Sequence, residues 1–397
     1  LKTILKIFLY FLIILLIISA IPYILTPVYE FPETKPFSGS FIYNPYKNIS
    51  PGKWLKANFH AHSNAWLGIT NGKNNIPQEM YDRYAKLDYD IISISDYMSI
   101  NDFMMANKIF IPVYEHGIGF AKSHQLVIGA ENVNWTEYLY YQGINQKQYV
   151  INQLKKDNNV IAITHPQLRG AYSNEDFKKL CGINFVEVVN QSYGGGESNW
   201  DAALSAGKVM FALADDDSHN GIDYKDMGRV YTMVNSDEQT PQSVISALKE
   251  GRNIAVDIFM NNRQDFNLLK SKSENIPELQ KADINDTAIS FKFSKRVNRI
   301  IFSGQNGRPV NISNETDSAF CSITPNDTYI RTTVICEDSS KLYLNPVFRY
   351  DGREFPKYSA AINLTSTVIK KSISLAVLIV IIIIIRNIRK RKLRAAG

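Results

Sequence analysis

Between residue 53 and residue 272, short apolar runs alternate with stretches whose apolar positions recur every three or four residues. "WLKANFHAHS", "DIISISDY", "QLVIGAEN", "NVIAITHP", "NFVEVVN", "MFALADDDSH" and "NIAVDIF" have the length and β-branched content of strands. "PQEMYDRYAKLD", "NQKQYVINQLKKD", "SNEDFKKLC", "NWDAALSAG" and "PQSVISALKEG" read as amphipathic helices between them. Strand–helix alternation predicts an α/β fold with a parallel sheet, and seven strands suggest a barrel. From about residue 273 to 360 the helical period stops. "AISFKFS", "RIIFSG", "YIRTTVICED" and "KLYLNPVFRYDG" predict a small β-sandwich there. Residues 30–52, rich in Pro, Tyr, Ser and Gly, read as a linker.

Both ends are more apolar than any core helix needs to be. Ile7 to Ile18 is almost all Ile, Leu and Phe, and no charge follows Lys6 until Glu30, so residues 1–29 are expected to be an uncleaved membrane anchor, the alternative being a cleaved signal peptide, for which no clear small-x-small site follows the apolar run. "SISLAVLIVIIIII" is too short alone for a span of about 20 residues, but Lys370 and Lys371 can snorkel and extend it to residues 364–388. The basic residues lie at the outer sequence ends of both segments, Lys2 and Lys6 at one and a tail at 389–397 at the other. The positive-inside rule therefore predicts cytoplasmic termini and an extracytoplasmic middle. Eight such residues (Lys2, Lys6, Arg386, Arg389, Lys390, Arg391, Lys392 and Arg394) exceed the whole net charge of +6 and leave the remainder near −2, so nucleic acid is not a suggested partner. Among the 3 cysteines, Cys321 and Cys336 flank a turn and a strand and are expected to form a disulfide, with Cys181 a buried thiol.

The polar residues within the apolar runs fall at strand ends. His60 and His62 close the first, Asp96 the second, Glu131 the third, His165 the fourth and Asp217 with His219 the sixth; Glu187 and Asn190 lie in the fifth. Taken singly, each has an ordinary reading: a core-satisfying pair for His60 and His62, a turn cap for Asp96, an exposed acidic loop around Asp217. Together they place imidazoles and carboxylates on one rim, where catalytic groups of parallel barrels gather. Such groups are costly to bury unless paired or metal-bound. Mixed N and O ligands suit Zn, Mn or Fe, and two such ions are common machinery for phosphoester hydrolysis.

The order "NFHAHS … ISISDY … VIGAEN … AITHP … VEVVN … ADDDSH" resembles the polymerase-and-histidinol-phosphatase (PHP) family of metallophosphoesterases over about residues 54 to 260. The resemblance implies a distorted (β/α)7 barrel with His60, His62, Glu131 and Asp217 around one divalent ion. Glu131 would bridge to a second ion held also by His165, and His219 would serve a third position; Asp96 belongs to the same set. Two departures stand out. The family's Asp-His is Asp96-Tyr97 here, and no histidine lies between Glu131 and His165 where the family commonly has a ligand. They leave the third ion weakly supported. The expected activity is that of a membrane-anchored phosphoesterase acting on a phosphorylated small molecule or cell-surface substrate. Asp96 and Asp217 would orient the nucleophile, and Arg229 would either grip a phosphate oxygen or pair with Asp226. The alternatives are a metal hydrolase of a non-phosphate cell-surface substrate and a degenerate barrel that only binds.

Overall fold

Runs of Val, Ile, Leu and Phe become strands here because both of their faces are covered. The strands Gln125–Ile128, Val160–Ile163, Phe185–Asn190 and Phe211–Asp215 have every residue buried. The computed structural model describes residues 2–394 except 70, 71, 73, 156–158, 221–225, 263 and 286, and the last three residues of the expected tail lie outside it. Helices start where capping chemistry permits: Ser173 and Asp176 form a reciprocal capping box, and Thr240 caps a helix opened by Pro241.

The chain is a mixed α/β structure with two sheets that meet at one end. In the first, Trp54–Asn58 pairs in parallel with Ile91–Ile92. In the second, Val113–His116, Gln125–Ile128, Val160–Ile163, Phe185–Asn190 and Phe211–Asp215 lie in that order. Two isolated parallel bridges join them, Tyr97 to Glu115 and Ala61 to Ser218. Seven strands thus curl into a partial ring, whose two sheets these bridges draw together at one rim.

This differs from a regular (β/α)7 barrel in two ways. Gln125–Ile128 is antiparallel to both neighbours and so runs against the rest of the ring. No α-helix separates Ile91–Ile92, Val113–His116 and Gln125–Ile128. Val113–His116 was not foreseen as a strand, whereas the expected seventh strand, Asn253–Asp257, stands outside the ring between Val230–Asn235 and Lys341–Tyr350.

The expected separate β-sandwich is also corrected. Leu279–Asn285, Ala288–Ser303, Tyr329–Ile335 and Lys341–Tyr350 continue the same 10-stranded sheet that holds Trp54–Asn58. Ion pairs of Arg331 with Asp201 and Glu197 tie this region to the helix Glu197–Ser205 beside the ring. The disulfide is corrected as well, for Cys321 and Cys336 are both free and buried, as is Cys181. Strand register explains it: Cys321 pairs with Ile289, while Ile335, next to Cys336, pairs with Arg299, ten positions along the same strand. That is on the order of 30 Å of strand, against roughly 7 Å at most between bridged Cα atoms.

Two apolar helices, Lys2–Leu25 and Leu364–Arg394, stand at the ends of the chain, long and apolar enough to cross a membrane. They suggest membrane association. The helices are clipped together where they leave the folded domain. Tyr29–Glu30 pairs with Ala361–Ile362, and Lys370 Nζ donates to the carbonyls of Tyr23 and Thr26, both at 2.7 Å.

Candidate metal centre

Five of the six histidines converge on two carboxylates at the bridged rim of the ring. His60 and His62 leave Trp54–Asn58 on alternate positions, so both rings point the same way. Their Nε2 atoms are 3.2 Å apart. Asp217 Oδ1 lies 3.2 Å from His60 Nε2 and 3.3 Å from His62 Nε2. Glu115 Oε1 is 3.4 Å from His60 Nε2, and its Oε2 is 3.2 Å from His62 Nε2. On its other side Glu115 Oε1 meets His124 Nδ1 at 2.7 Å and His165 Nε2 at 3.0 Å. His219 completes the group, with Nδ1 at 3.4 Å from Asp217 Oδ1 and its ring stacked on His62. Backbone geometry aims two of these groups: His165 and Asp217 have φ of 26° and 50°, a region that non-glycine residues rarely occupy.

Glu115 stands where Glu131 was expected. Because Gln125–Ile128 runs backwards through the ring, its C-terminal end and Glu131 fall at the far rim, and Glu131 is exposed. The start of that strand, and with it His124, falls at the site. The carboxylate instead comes from the overlooked strand Val113–His116. With Glu115 in place, His124 follows the glutamate and precedes His165, so the histidine absent between Glu131 and His165 is accounted for. A short apolar strand ending in Glu-His was the one signal available for it.

Other expected residues take supporting places. Asp96 accepts from Ser63 N and Ser63 Oγ, both at 2.7 Å, and from Asn101 Nδ2 at 2.8 Å; its oxygens hold the turn after His62 rather than joining the cluster. Arg229 pairs with Asp257, and among the described residues it forms no ion pair with Asp226. Asp215 and Asp216 serve backbone amides: Asp215 takes Phe59 N, and Asp216 takes Gly228 N and Val230 N. Glu187 contacts two ligands, His60 Nδ1 at 2.6 Å and the backbone N–H of His165 at 2.7 Å. This fixes the His60 ring so that Nε2 faces inward. Asn190 donates to Glu187 at 2.9 Å and to Asp217 at 3.2 Å.

The electrostatics show a site that gathers positive charge. Burial alone lowers an imidazole pKa, yet at His60 the carboxylates of Asp217, Glu187 and Glu115 outweigh burial and hold it well above the usual value. At His62 burial is outweighed by Asp217 and Glu115, which lift it to about 9. His165 is raised against burial mainly by Glu115. His219 falls to about 4 through burial and the neighbouring His62. Burial would raise the carboxyls of Glu115 and Asp217, but the surrounding imidazoles hold both well below their ordinary range.

The donor set fits divalent ions. Glu115 Oε2 and Asp217 Oδ1, the carboxylate oxygens nearest His62, are buried and accept no hydrogen bond, a cost that unligated protein groups rarely bear. Separations of 3.2 to 3.4 Å among His60, His62, Asp217 and Glu115 match the spacing of ligands about 2.0 Å from a tetrahedral ion. A second triad, Glu115 with His124 and His165, shares the Glu115 carboxylate with the first group. Three open clefts lie elsewhere, beside Lys56 and Tyr231, Lys208 and Tyr358, and Tyr43 and Asn285. Among the described residues around the candidate metal centre, Tyr193, His219 and Tyr97 are the least buried.

Neither a family model nor a curated protein matches the chain. Among solved structures it is similar to a two-domain protein from Bacteroides vulgatus that contains a predicted PHP-like metal-dependent phosphoesterase. That match has 14% identity, covers 79% of this chain and 99% of the other, and has a TM-score of 0.38. A likeness of that degree assigns no activity to this chain.

Proposed function

We propose that the chain is a membrane-anchored, extracytoplasmic metal-dependent phosphoesterase with a two-ion centre. The carrying observation is the group of five histidines, four of them buried, around the buried carboxylates of Glu115 and Asp217, each of which has an oxygen that accepts no hydrogen bond. His60, His62, Asp217 and Glu115 would hold one ion; Glu115, His124 and His165 would hold the other. Divalent ions there supply the acidity that ionises water near neutral pH and offset charge on phosphoryl oxygens. Glu187 keeps the His60 tautomer fixed, and Asn190 holds the second oxygen of Asp217. Tyr97 stacks on the His62 face; burial first, then Glu115 and Asp217, push its pKa far up, so it remains a neutral donor at the wall of the site.

Hydrolysis of a phosphate ester needs a bond from water oxygen to phosphorus, loss of the ester P–O bond and a proton for the departing alkoxide, which the same water provides. The clip between the two helices and the basic residues at their far ends support a domain outside with both termini inside. A binding-only barrel is disfavoured, since five histidines, four of them buried, around two buried carboxylates are expensive to keep without an ion.

The test is metal content of the purified full chain beside His60→Ala/His62→Ala, with turnover of a generic aryl phosphate diester and monoester. About two bound ions and turnover lost in the variant support the reading. A wild type that stays metal-free in buffer supplemented with Zn, Mn or Fe, or that binds metal without any ester turnover, overturns it.

A further inference from the structure

The rim beside the metal centre carries large side chains facing outward: Trp66 is 49% exposed, Phe120 62%, Trp135 61% and Tyr141 74%. Soluble surfaces seldom gather so many such groups without a partner. Their position says what the partner is. Tyr140, in the same loop as Trp135 and Tyr141, lies with its ring centre 6.5 Å from that of Tyr23 of the N-terminal apolar helix and donates its backbone N–H to the Tyr23 hydroxyl at 2.8 Å. Its own hydroxyl lies 3.4 Å from Ser19 Oγ. Ser19 lies six residues, about 9 Å, back from the helix end at Leu25. A hydrocarbon layer of about 30 Å beginning after Lys6 takes about 20 residues and reaches Thr26. The loop therefore descends to the depth where Trp and Tyr settle at a bilayer surface.

The same rim reaches the metal ligands in two short steps. Phe120 packs on Tyr140 at 6.3 Å between ring centres, and Lys122, two residues on, places Nζ 5.6 Å from the ring of Tyr97. Trp66 touches Trp135 edge-on at 6.3 Å and donates its indole N–H to Tyr97 O at 2.8 Å. Tyr97 in turn stacks on His62 at 4.4 Å. Arg169, four residues after His165, donates to Phe120 O and adds a second cation to this edge.

We infer that the metal centre opens toward the bilayer surface and that its substrate is a phosphate ester carried by a lipid of the same leaflet. This rests on the phosphoesterase reading above and names its substrate class. The aromatic rim beds in the headgroup region, while Lys122 and Arg169 attract the anionic headgroup toward the wall formed by Tyr97 and His219. For a phosphatidic acid, water oxygen bonds to phosphorus and the P–O bond to glycerol breaks. The glycerol oxygen takes the proton, so diacylglycerol stays in the leaflet and phosphate departs.

The test uses the metal-loaded full chain in nanodiscs. In phosphatidylcholine with brominated acyl chains, tryptophan fluorescence should be quenched, and Trp66→Phe/Trp135→Phe should lose more than half of that quenching. In discs containing phosphatidic acid or phosphatidylglycerol, headgroup release is compared with turnover of a soluble aryl phosphate. In Trp135→Ser/Tyr141→Ser, which alters only largely exposed side chains, the ratio of lipid to soluble turnover should fall about tenfold or more, the order implied by losing two large side chains that the bilayer would bury. Soluble turnover without lipid turnover, quenching indifferent to the Phe variant, or a ratio unchanged in the Ser variant overturns this inference and leaves the phosphoesterase reading standing. No turnover of either ester overturns both.

Discussion

Replacing Glu115 with Gln keeps the shape of the side chain and removes its charge, which makes it the sharpest test of how this centre is built. The carboxylate lies 2.7 to 3.4 Å from four imidazoles and belongs to both candidate ion positions. Losing a partner that merely orients a ligand weakens metal binding by about 10- to 100-fold. A carboxylate shared by two positions should reach at least the upper end of that range. We expect Glu115→Gln to bind metal about 100-fold or more weakly, about 3 kcal/mol at 1.4 kcal/mol per decade. Glu131→Gln is the matched control: its side chain is exposed at the opposite rim, and it should change affinity by less than about twofold. Competition titration against a chromophoric chelator measures both, and thermal melts of the metal-free forms show whether each variant folds. If Glu131→Gln loses metal while Glu115→Gln keeps it, the placement of the reversed strand is wrong and the argument from strand direction falls with it.

Glu187→Gln leaves His60 without the carboxylate that fixes its ring and should weaken metal binding by about 10- to 100-fold; an unchanged chelator titration would count against that role. Metal takes the neutral imidazole, whereas His62, lifted to about 9, carries a proton at pH 7 in the metal-free chain. Binding at pH 7 should therefore release at least about one proton per chain and weaken as pH falls, and calorimetry in buffers of different ionisation heat reads this directly. The idea fails if the apparent heat is the same in every buffer. Lys56, buried beside Tyr89 and Tyr231, is lowered to about 7 chiefly by burial, with Asp216 opposing. Its folded pKa lies below its unfolded value of about 10.4, so wild-type stability should rise with pH between about 7 and 10, by on the order of 3 kcal/mol. Lys56→Met should abolish that rise, and parallel pH–stability curves for the two proteins would refute it.

The sequence made the chemistry legible and misplaced part of its geometry. His60, His62, His165, Asp217 and His219 sit at ends of apolar runs, and the structure brings all five together. What it could not display was strand direction. "QLVIGAEN" has the same periodicity whichever way it threads a ring, yet direction alone decides whether His124 or Glu131 faces the candidate metal site. "VYEH" was missed for a related reason. Four residues between Pro112 and Gly117 are too few to show a period, and pairing with Gln125–Ile128 is what makes them a strand. The disulfide and the separate sandwich failed similarly, because spacing along the chain says nothing about which strand lies between two others. Asp96 shows the limit of reading a residue type as a role, since a carboxylate at a strand end caps a turn as readily as it binds an ion.

One of the two departures from the family pattern thus disappears, and the other gains a physical consequence. His124 supplies the imidazole that seemed absent between glutamate and His-Pro, so Glu115, His124 and His165 form a ligand set that the sequence had left incomplete. Asp96-Tyr97 remains. A histidine in place of Tyr97 would offer a ring nitrogen to an ion, while the tyrosine offers a flat face to His62 at 4.4 Å and a hydroxyl too reluctant to ionise to act as a ligand. The position of the family's histidine therefore offers no ring nitrogen here, on the side where Tyr97 lies between His62 and His124, whose ring it meets edge-on at 5.4 Å. A wall of Tyr97, His62 and His219 stacked ring on ring is better suited to guiding a headgroup past than to holding a third ion. That side is also the one linked through Trp66 to the aromatic rim, so the position at which the ligand pattern thins is the position from which a lipid-borne phosphate would enter.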